Sequence, residues 1–196
     1  MTSHPARSRP SAAGNKRTEI FDSAVALFHQ RGYDATSMRD IASAVGVMPA
    51  SIYYHYDSKE ALLVAAVTEG ARLLEEAVVA AIRDESEPWA RLERACEAHL
   101  TTLLHGPEVV RVLYVELQRR REGRVEDDLM RIRRGYEDVF RELVNNLPVR
   151  DGMNRTHVRL TLLGAMAWSP VWYRRDGDSP AQIASALVTL VRHGCT

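Results

Sequence analysis

The chain has 196 residues, enough for one compact helical domain with a small appendage or for two small domains. Its 45% apolar and 27% charged residues are typical of a soluble globular protein, and no apolar run approaches the roughly 20 residues of a membrane helix. The formal net charge is zero, so composition neither supports nor excludes a nucleic-acid partner.

The first residues and the two cysteines indicate the cellular compartment in which the protein is expected. The first fifteen residues lack an apolar core like that of a signal peptide, so we expect no export and no membrane association. Cys96 and Cys195 match no metal-ligand spacing, and His99 and His157 are isolated. We therefore expect no metal site and no disulfide framework, and a reducing, cytoplasmic environment.

A first helix is expected after a short tail. Residues 1–14 are rich in Ser, Ala, Pro and Arg and cannot bury a core, so we expect a disordered tail whose basic side chains either touch phosphates or are merely solvated. Asn15 is a suitable N-cap and Gly32 a suitable end for a helix that buries one apolar stripe. That stripe consists of Ile20, Ala24, Leu27 and Phe28.

A short second helix follows. Thr36 or Ser37 caps it, Asp40 is placed for a capping box with Ser37, and Gly46 ends it. Its predicted core face consists of Ile41, Ala42 and Val45.

A tight turn over residues 46–48 joins this helix to another short one. Residues 49–56 follow, with Pro49 at a position where its missing N–H costs little. Pro49, Ala50 and Ser51 are small or polar, which allows a helix backbone to lie in the major groove of DNA, whereas Ile52 is expected to face inward. The sequence therefore predicts a helix-turn-helix.

The rest of the chain is predicted to be helical, since no segment shows strand-like alternation. Ser58 caps a long helix that extends to about residue 83, and Pro88 and Pro180 open two later helices. We expect an all-α fold with about nine helices. The later helices are expected over residues 88–105, 108–121, 125–147, 156–174 and from residue 180 onward.

One run of residues resembles the DNA-binding domain of the TetR family of repressors: GYDATSMRDIASAVGVMPASIYYHYDSKEALL, residues 32–63. The match covers the glycine-aromatic end of helix 1, the Thr-Ser cap, the Ile-Ala pair, the Gly-Val turn, and Tyr-Tyr-His-Tyr followed by Ser-Lys-Glu-Ala-Leu. That family joins a three-helix DNA-binding head to a helical body that binds a ligand and dimerises. Together with the tail inferred from composition, the predicted organisation is a tail over 1–14, a head over 15–60 and a body over 61–196.

The resemblance also implies which residues meet the DNA. Lys59 matches the family's phosphate-binding lysine, beside a helix N-terminus where positive potential is concentrated. Most such contacts are expected on phosphates, and few on bases. For Tyr54 and Tyr56 the alternatives are core packing of the head, which we expect, and DNA contact; for Tyr53 and His55, on the opposite face, we expect DNA contact rather than core packing. The predicted DNA-binding set is Thr36, Ser37, Arg39, Pro49, Ala50, Ser51, Tyr53, His55 and Lys59.

The last two helices are the expected dimer interface. Helical repressors of this kind dimerise because two heads must reach successive major-groove faces, about 34 Å apart. These helices carry small and apolar residues that can pair with their symmetry mates; the alternative is that they only close the monomer core. The residues concerned are Leu162, Leu163, Ala165, Met166, Leu187, Leu190 and Val191.

A ligand pocket is expected in the body, lined mainly by apolar and aromatic residues with a few polar groups. For each candidate, the alternative is a plain core position. The candidates are His99, Leu103, Tyr114, Leu117, Met166, Trp168, Trp172 and Tyr173.

Two further stretches, residues 109–120 and 165–180, resemble the branch of the TetR family that controls fatty-acid or sterol-side-chain degradation. Members of that branch commonly respond to acyl-CoA thioesters, with an Arg-rich pocket mouth that suits the phosphates. The alternative is a solvated charged face balanced by Glu122, Glu126 and Asp127. The arginines concerned are Arg119, Arg120, Arg121, Arg133 and Arg134.

The expected function is a ligand-responsive transcriptional repressor that binds double-stranded operator DNA as a homodimer and is released by a small hydrophobic effector. The resemblance implies an acyl-CoA effector and no other cofactor. The alternative effector is a drug-like ligand that controls efflux or aromatic-compound genes, and an activator or a nucleoid-type binder would share the same head. No nucleophile–base pair, metal cluster or phosphate loop stands out in the sequence, so no enzyme is expected.

Overall fold

The computed structural model describes residues 12–119 and 124–195, which form nine helices and no strand. The all-α fold predicted from the sequence is therefore confirmed over these residues. The helices are α1 (Ala12–Arg31), α2 (Met38–Val45), α3 (Pro49–Tyr53), α4 (Lys59–Ile82), α5 (Pro88–His105), α6 (Glu108–Gln118), α7 (Arg124–Asn145), α8 (Arg155–Trp172) and α9 (Pro180–Cys195).

The start of α1 differs from the prediction. The helix begins at Ala12, so Asn15 is not its N-cap but lies within it, where the side-chain Nδ2 donates to Glu19 Oε1 at 3.0 Å. Two alanines at positions 12 and 13 favour this extension, since alanine has the highest helix propensity. The remainder of the predicted tail, residues 1–11, lies outside the described residues.

The chain divides into two units between Leu63 and Val64, a point within α4. In the N-terminal unit, α2 packs against α1 and α3. Its core contains the predicted stripe of α1 and one to three residues from each later segment. The buried residues include Ile20, Ala24, Leu27, Phe28, Tyr33, Met38, Ile41, Ala42, Ile52, Tyr56, Leu62 and Leu63.

The C-terminal unit is arranged around α5, which packs against α6, α7, α8 and α9. Leu92, Cys96 and Leu100 of α5 are fully buried and join Phe140 of α7 and Met166 of α8 in one apolar core. Within this unit α4 approaches α6 closely at Gly70. In the described part of the chain, no helix is both long enough and apolar enough to cross a membrane.

Candidate functional site

The segment from α2 to α3 forms the predicted helix-turn-helix. The Ser37 side chain accepts a hydrogen bond from the Asp40 N–H, and the Asp40 carboxylate accepts one from the Ser37 N–H at 2.8 Å. Gly46 adopts the left-handed conformation (φ 71°, ψ 37°) that ends α2, a conformation in which a side chain would be strained. The capping box and the glycine turn are both confirmed, and Ser37 is the cap rather than Thr36.

Helix α3 is held by one residue and exposes most of the others. Ile52 is fully buried, whereas Ala50, Ser51 and Tyr53 are exposed. Met48, just before the helix, is 74% exposed. Helix α3 carries no charged or amide side chain, so any base reading by it would rely on hydroxyl groups and on apolar contact with thymine methyl groups.

The predicted DNA-binding residues do not all share one environment. Thr36, which was predicted to contact DNA, is buried instead, and its hydroxyl donates to the Gly32 carbonyl at 2.9 Å. Pro49, His55 and Lys59 are half-buried. The exposed members of the set are Ser37, Arg39, Ala50, Ser51 and Tyr53, and their role as DNA contacts stays a prediction.

Lys59 makes internal contacts that the sequence did not reveal. Its Nζ donates to the carbonyl oxygens of Tyr33 at 3.0 Å and Thr36 at 2.8 Å, and it lies 4.2 Å from the centroid of the Tyr33 ring. The ammonium thus uses two of its three N–H groups to hold the loop between α1 and α2. Lys59 has a structural task in addition to any contact with phosphate.

The two tyrosines predicted to be core residues differ. Tyr56 is buried as expected, with the guanidinium of Arg17 4.7 Å from its ring centroid. Tyr54 is 84% exposed, so its assignment to the core was wrong. The reason is helical periodicity: the Tyr56 N–H donates to the Ile52 carbonyl at 2.9 Å, so these two residues share the inward face and Tyr54 points away from it. The spacing of Ile52 and Tyr56 was the signal that could have identified Tyr54 as an exposed candidate.

A cavity of about 700 Å³ lies within the C-terminal unit. Helices α4 to α8 all contribute to its wall, which is mainly apolar. The lining residues are Ala71, Leu74, His99, Leu103, Leu113, Tyr114, Leu117, Gln118, Arg119, Glu126, Met130, Ile132, Arg133, Tyr136, Glu137, Leu160, Leu163, Gly164 and Ala167. The volume of this cavity and the mainly apolar character of its lining are typical of a small-molecule site.

Four of the eight predicted ligand-binding residues line this cavity: His99, Leu103, Tyr114 and Leu117. The other four do not. Met166 is fully buried in the core, Trp168 and Trp172 are 58% and 47% exposed, and Tyr173 is held by a 2.7 Å hydrogen bond between its hydroxyl and His105 Nε2.

The face that α8 turns toward the cavity explains this difference. Leu160, Leu163, Gly164 and Ala167 follow the i, i+3, i+4, i+7 spacing of one helix face and line the cavity, so the tryptophans fall on another face. The small side chains of Gly164 and Ala167 leave room for a ligand and were the missed signal on this helix. The α7 residues Met130, Ile132 and Tyr136 were also missed.

A hydrogen-bonded pair of polar residues, His99 and Tyr136, belongs to the cavity wall. His99 is 7% exposed, and its Nδ1 lies 2.6 Å from the Tyr136 hydroxyl oxygen. Burial lowers the pKa of His99 to about 4 and raises the pKa of Tyr136 well above 10, so both groups are neutral near pH 7. Among the described residues, none provides a hydrogen-bond partner for His99 Nε2.

Charged residues also line the cavity and remain accessible to solvent. Arg119 and Arg133 are exposed, and Arg133 Nε donates to Glu137 Oε1 at 2.7 Å. Of the other arginines predicted for a pocket mouth, Arg134 does not line the cavity, and Arg120 and Arg121 lie outside the described residues. Over residues 12–119 and 124–195, no three His, Cys, Asp or Glu residues are grouped as a metal site would require.

The predicted dimer residues fall into three groups. Leu162 and Met166 are buried in the monomer core and are not available for an interface, whereas Leu163 is half-buried and lines the cavity. Ala165, Leu187 and Val191 are half-buried, and Leu190 is 71% exposed. The large apolar side chains that are exposed on the last two helices are those of Leu160, Trp168, Val171, Trp172 and Leu190, most of which the sequence did not assign to this surface.

Comparison with known families and relatives places these features in context. The family described as "Bacterial regulatory proteins, tetR family" matches residues 20–66, and "Tetracyclin repressor-like, C-terminal domain" matches residues 85–195. The HTH-type transcriptional repressor KstR2 of Rhodococcus jostii (strain RHA1) is 30% identical over 203 residues, which cover 99% of this chain and 97% of the relative.

Two solved structures have the same fold. AibR in complex with isovaleryl coenzyme A and operator DNA gives a TM-score of 0.77 at 26% identity, over 89% of this chain and 97% of that chain. FadR from Bacillus subtilis in complex with stearoyl-CoA gives a TM-score of 0.76 at 18% identity, over 91% of this chain and 99% of that chain. The second likeness concerns the fold alone.

Proposed function

Because the chain belongs to the TetR family of bacterial regulatory proteins, we propose that it is a transcriptional repressor that leaves its operator DNA when it binds an acyl-CoA thioester. The observation that carries this proposal is the presence in one chain of two features. One is a helix-turn-helix with an exposed second helix, and the other is an apolar cavity whose lining includes exposed arginines.

The cavity supports the choice of effector class. Its apolar wall suits an acyl chain, and the guanidinium groups of Arg119 and Arg133 suit the phosphates of coenzyme A, because a planar fork of N–H donors matches phosphate oxygens. The 26% identical relative AibR was solved with isovaleryl coenzyme A and operator DNA together, which also supports this choice. A small drug-like molecule would need no phosphate-binding arginines.

Operator binding by this family requires two heads, and we propose that a second copy of the chain supplies the other one. The exposed Trp168, Val171, Trp172 and Leu190 on α8 and α9 support an interface there, because large apolar side chains on a surface commonly mark a protein–protein contact. This surface replaces the buried Leu162 and Met166 of the sequence prediction.

Helix α4 supports a route from the cavity to the DNA. Ala71 and Leu74 of α4 line the cavity, while the residues of α4 before Val64 belong to the N-terminal unit. A ligand that displaces α4 would therefore move a helix whose first residues belong to the N-terminal unit, the unit that contains the helix-turn-helix. The ligand must bind the DNA-free state more tightly than the DNA-bound state, because equal affinities would shift nothing.

The test is operator release measured by fluorescence anisotropy. An operator duplex selected from random-sequence DNA is titrated with protein in the presence of isovaleryl-CoA, decanoyl-CoA or stearoyl-CoA. At least one thioester should weaken operator binding by roughly 5- to 150-fold, the usual range of allosteric coupling. Coenzyme A and free decanoate at the same concentration should not. Unchanged operator affinity at saturating thioester would contradict the proposal, and release by drug-like compounds alone would favour the alternative effector.

A matched pair of variants tests the phosphate assignment. Arg133 and Arg131 both lie on α7 and both pair with a carboxylate, at 2.7 Å from Glu137 and 3.0 Å from Asp128, but only Arg133 lines the cavity. Arg133→Gln should weaken thioester binding about tenfold, whereas Arg131→Gln should not. Equal effects of the two substitutions would mean that Arg133 acts only through general surface charge.

A further inference from the structure

The His99–Tyr136 pair is a polar group in a mainly apolar wall, and one of its atoms has no partner. We propose that this pair is a subsite for a carbonyl oxygen that the effector carries into the cavity, with His99 as the residue that determines the preference for such ligands. This inference rests on the proposed function in taking the cavity as the effector site.

The protons of the pair support a donor role. Nδ1 of His99 and the Tyr136 hydroxyl oxygen are 2.6 Å apart, so one hydrogen lies between them. If the hydroxyl donates to Nδ1, the neutral imidazole carries its own hydrogen on Nε2. If Nδ1 donates instead, the hydroxyl hydrogen is left over. In both arrangements the neutral pair has one hydrogen-bond donor to spare, and an oxygen acceptor satisfies it.

The surroundings make that spare donor costly. Leu74, Leu103, Leu113 and Leu163, which line the same cavity, offer only hydrocarbon side chains, and His99 Nε2 meets no partner in the part of the chain that the structure describes. A buried donor without an acceptor is strongly unfavourable. A ligand with an oxygen at this point removes the penalty, whereas a purely hydrocarbon ligand of the same shape leaves it in place. Sites of this kind discriminate more sharply than apolar pockets do.

Phe140 fixes the imidazole in position. Its ring is perpendicular to that of His99, with centroids 5.9 Å apart, and it also contacts the Tyr136 ring at 5.8 Å. Phe140 is fully buried. The pair is therefore held by the core of the unit rather than by flexible surface residues, as a specific recognition site requires.

The experiment compares ligands that differ by one oxygen. Decanoyl-CoA is compared with S-decyl-CoA, which lacks the thioester carbonyl, and with decanoyl-CoA carrying an oxo group at carbon 3, 5, 7 or 9. 4-Phenyl-2-butanone and butylbenzene form a pair without coenzyme A. Affinities are measured by displacement of a fluorescent apolar probe for wild type, His99→Phe and His99→Gln.

The proposal predicts that the wild type prefers at least one oxygen-bearing member of a pair by about tenfold or more. His99→Phe should abolish that preference, and His99→Gln, whose amide N–H can occupy the place of Nε2, should restore part of it. A preference in the decanoyl-CoA and S-decyl-CoA pair identifies the thioester oxygen, whereas a preference in the oxo series identifies an oxygen on the chain. Because each preference is a ratio within one variant, a general loss of stability does not imitate the result.

Two results would overturn the inference: no preference for oxygen in any pair with wild type, or the same preference in His99→Phe. The proposed function can fail separately. If no thioester binds but the ketone pair shows a preference that depends on His99, the subsite stands and the acyl-CoA effector does not. If thioesters bind without any oxygen preference, the proposed function stands and the subsite does not.

Discussion

Lys59 and Tyr33 form a fixed contact within the N-terminal unit: the Lys59 ammonium donates to the Tyr33 carbonyl at 3.0 Å and lies 4.2 Å from the centroid of the same residue's ring. The Tyr33 ring in turn packs against Phe28, with centroids 5.3 Å apart. The start of α4 is thereby attached to the loop that precedes the helix-turn-helix.

Replacing Lys59 by Met should lower the free energy of unfolding of the N-terminal unit on the order of 2 kcal/mol, because two charge-assisted hydrogen bonds and a cation–π contact are lost. Hydrogen exchange of the α2 and α3 amides measures this opening. Arg39→Ala, at an exposed position, is the control and should change stability by less than about 0.5 kcal/mol. Unchanged exchange in Lys59→Met would mean that Lys59 has no structural task.

The exposed apolar residues of α8 and α9 give a prediction about assembly. If the chain dimerises through this surface as proposed, Leu190→Lys should yield a monomer without loss of monomer stability, because Leu190 is 71% exposed in the single chain and the proposed interface would bury it. Analytical ultracentrifugation measures the change. Val79→Lys, at an apolar position of α4 that is 43% exposed, is the matched control and should leave the proposed dimer intact. A dimer that tolerates Leu190→Lys places the interface elsewhere.

In the helix-turn-helix, the sequence predicted interactions between residues close together in the chain, but not those between residues far apart in it. Ser37, Asp40 and Gly46 obey capping and turn rules that span a few residues, so their geometry was predictable. The contact of Lys59 with Tyr33 joins residues 26 positions apart and depends on how the loop folds back. No local rule contains that information.

The pKa of His99 predicts how stability depends on pH. Burial lowers this pKa from 6.5 to about 4, so the unfolded chain takes up the proton first as the pH falls. The stabilising effect of the neutral imidazole is complete above pH 6.5 and is lost progressively as the pH falls to about 4. At pH 5 the loss should be on the order of 2 kcal/mol.

Urea unfolding followed by tryptophan fluorescence measures this effect, since Trp89, Trp168 and Trp172 all lie in the C-terminal unit. His99→Gln removes the titrating group and is the control for the other histidines and carboxylates. The wild type should lose more stability than this variant between pH 7.5 and pH 5. Identical pH dependence of the two proteins would contradict the assignment of a neutral, buried His99.

The contact between α4 and α6 at Gly70 gives a further prediction. A β-carbon at Gly70 would lie 2.8 Å from the Val109 carbonyl oxygen and 2.9 Å from Leu113 Cβ, so Gly70→Ala must push the helices apart. The expected cost is about 1–3 kcal/mol in unfolding free energy. Gly135→Ala on α7, where a β-carbon meets nothing within 4 Å, should instead stabilise by up to about 1 kcal/mol. If urea denaturation gave the same change in unfolding free energy for Gly70→Ala and Gly135→Ala, the approach of α4 to α6 would not be tight.

Only four of the eight predicted ligand-binding residues line the cavity, because the sequence does not show how the helices pack against one another. His99 and Tyr114 were identified because polar and aromatic residues on a helix are natural ligand contacts. Trp168 and Trp172 were identified on the same ground, but the rotation of α8 about its axis is set by packing against neighbouring helices, and it turns them outward. Tyr136 meets His99 across 37 residues of sequence, and no pattern within either helix indicates that pairing.

The most direct test of the account is the reciprocity of its two binding events. Isothermal titration calorimetry measures the affinity of decanoyl-CoA, or of whichever thioester releases the operator, for the protein alone and for the protein saturated with operator duplex. Thermodynamic linkage requires the operator to weaken thioester binding by the same factor by which the thioester weakens operator binding. We predict equal factors of at least about fivefold. Thioester affinity that is unchanged by the operator would contradict the claim that the cavity controls DNA binding.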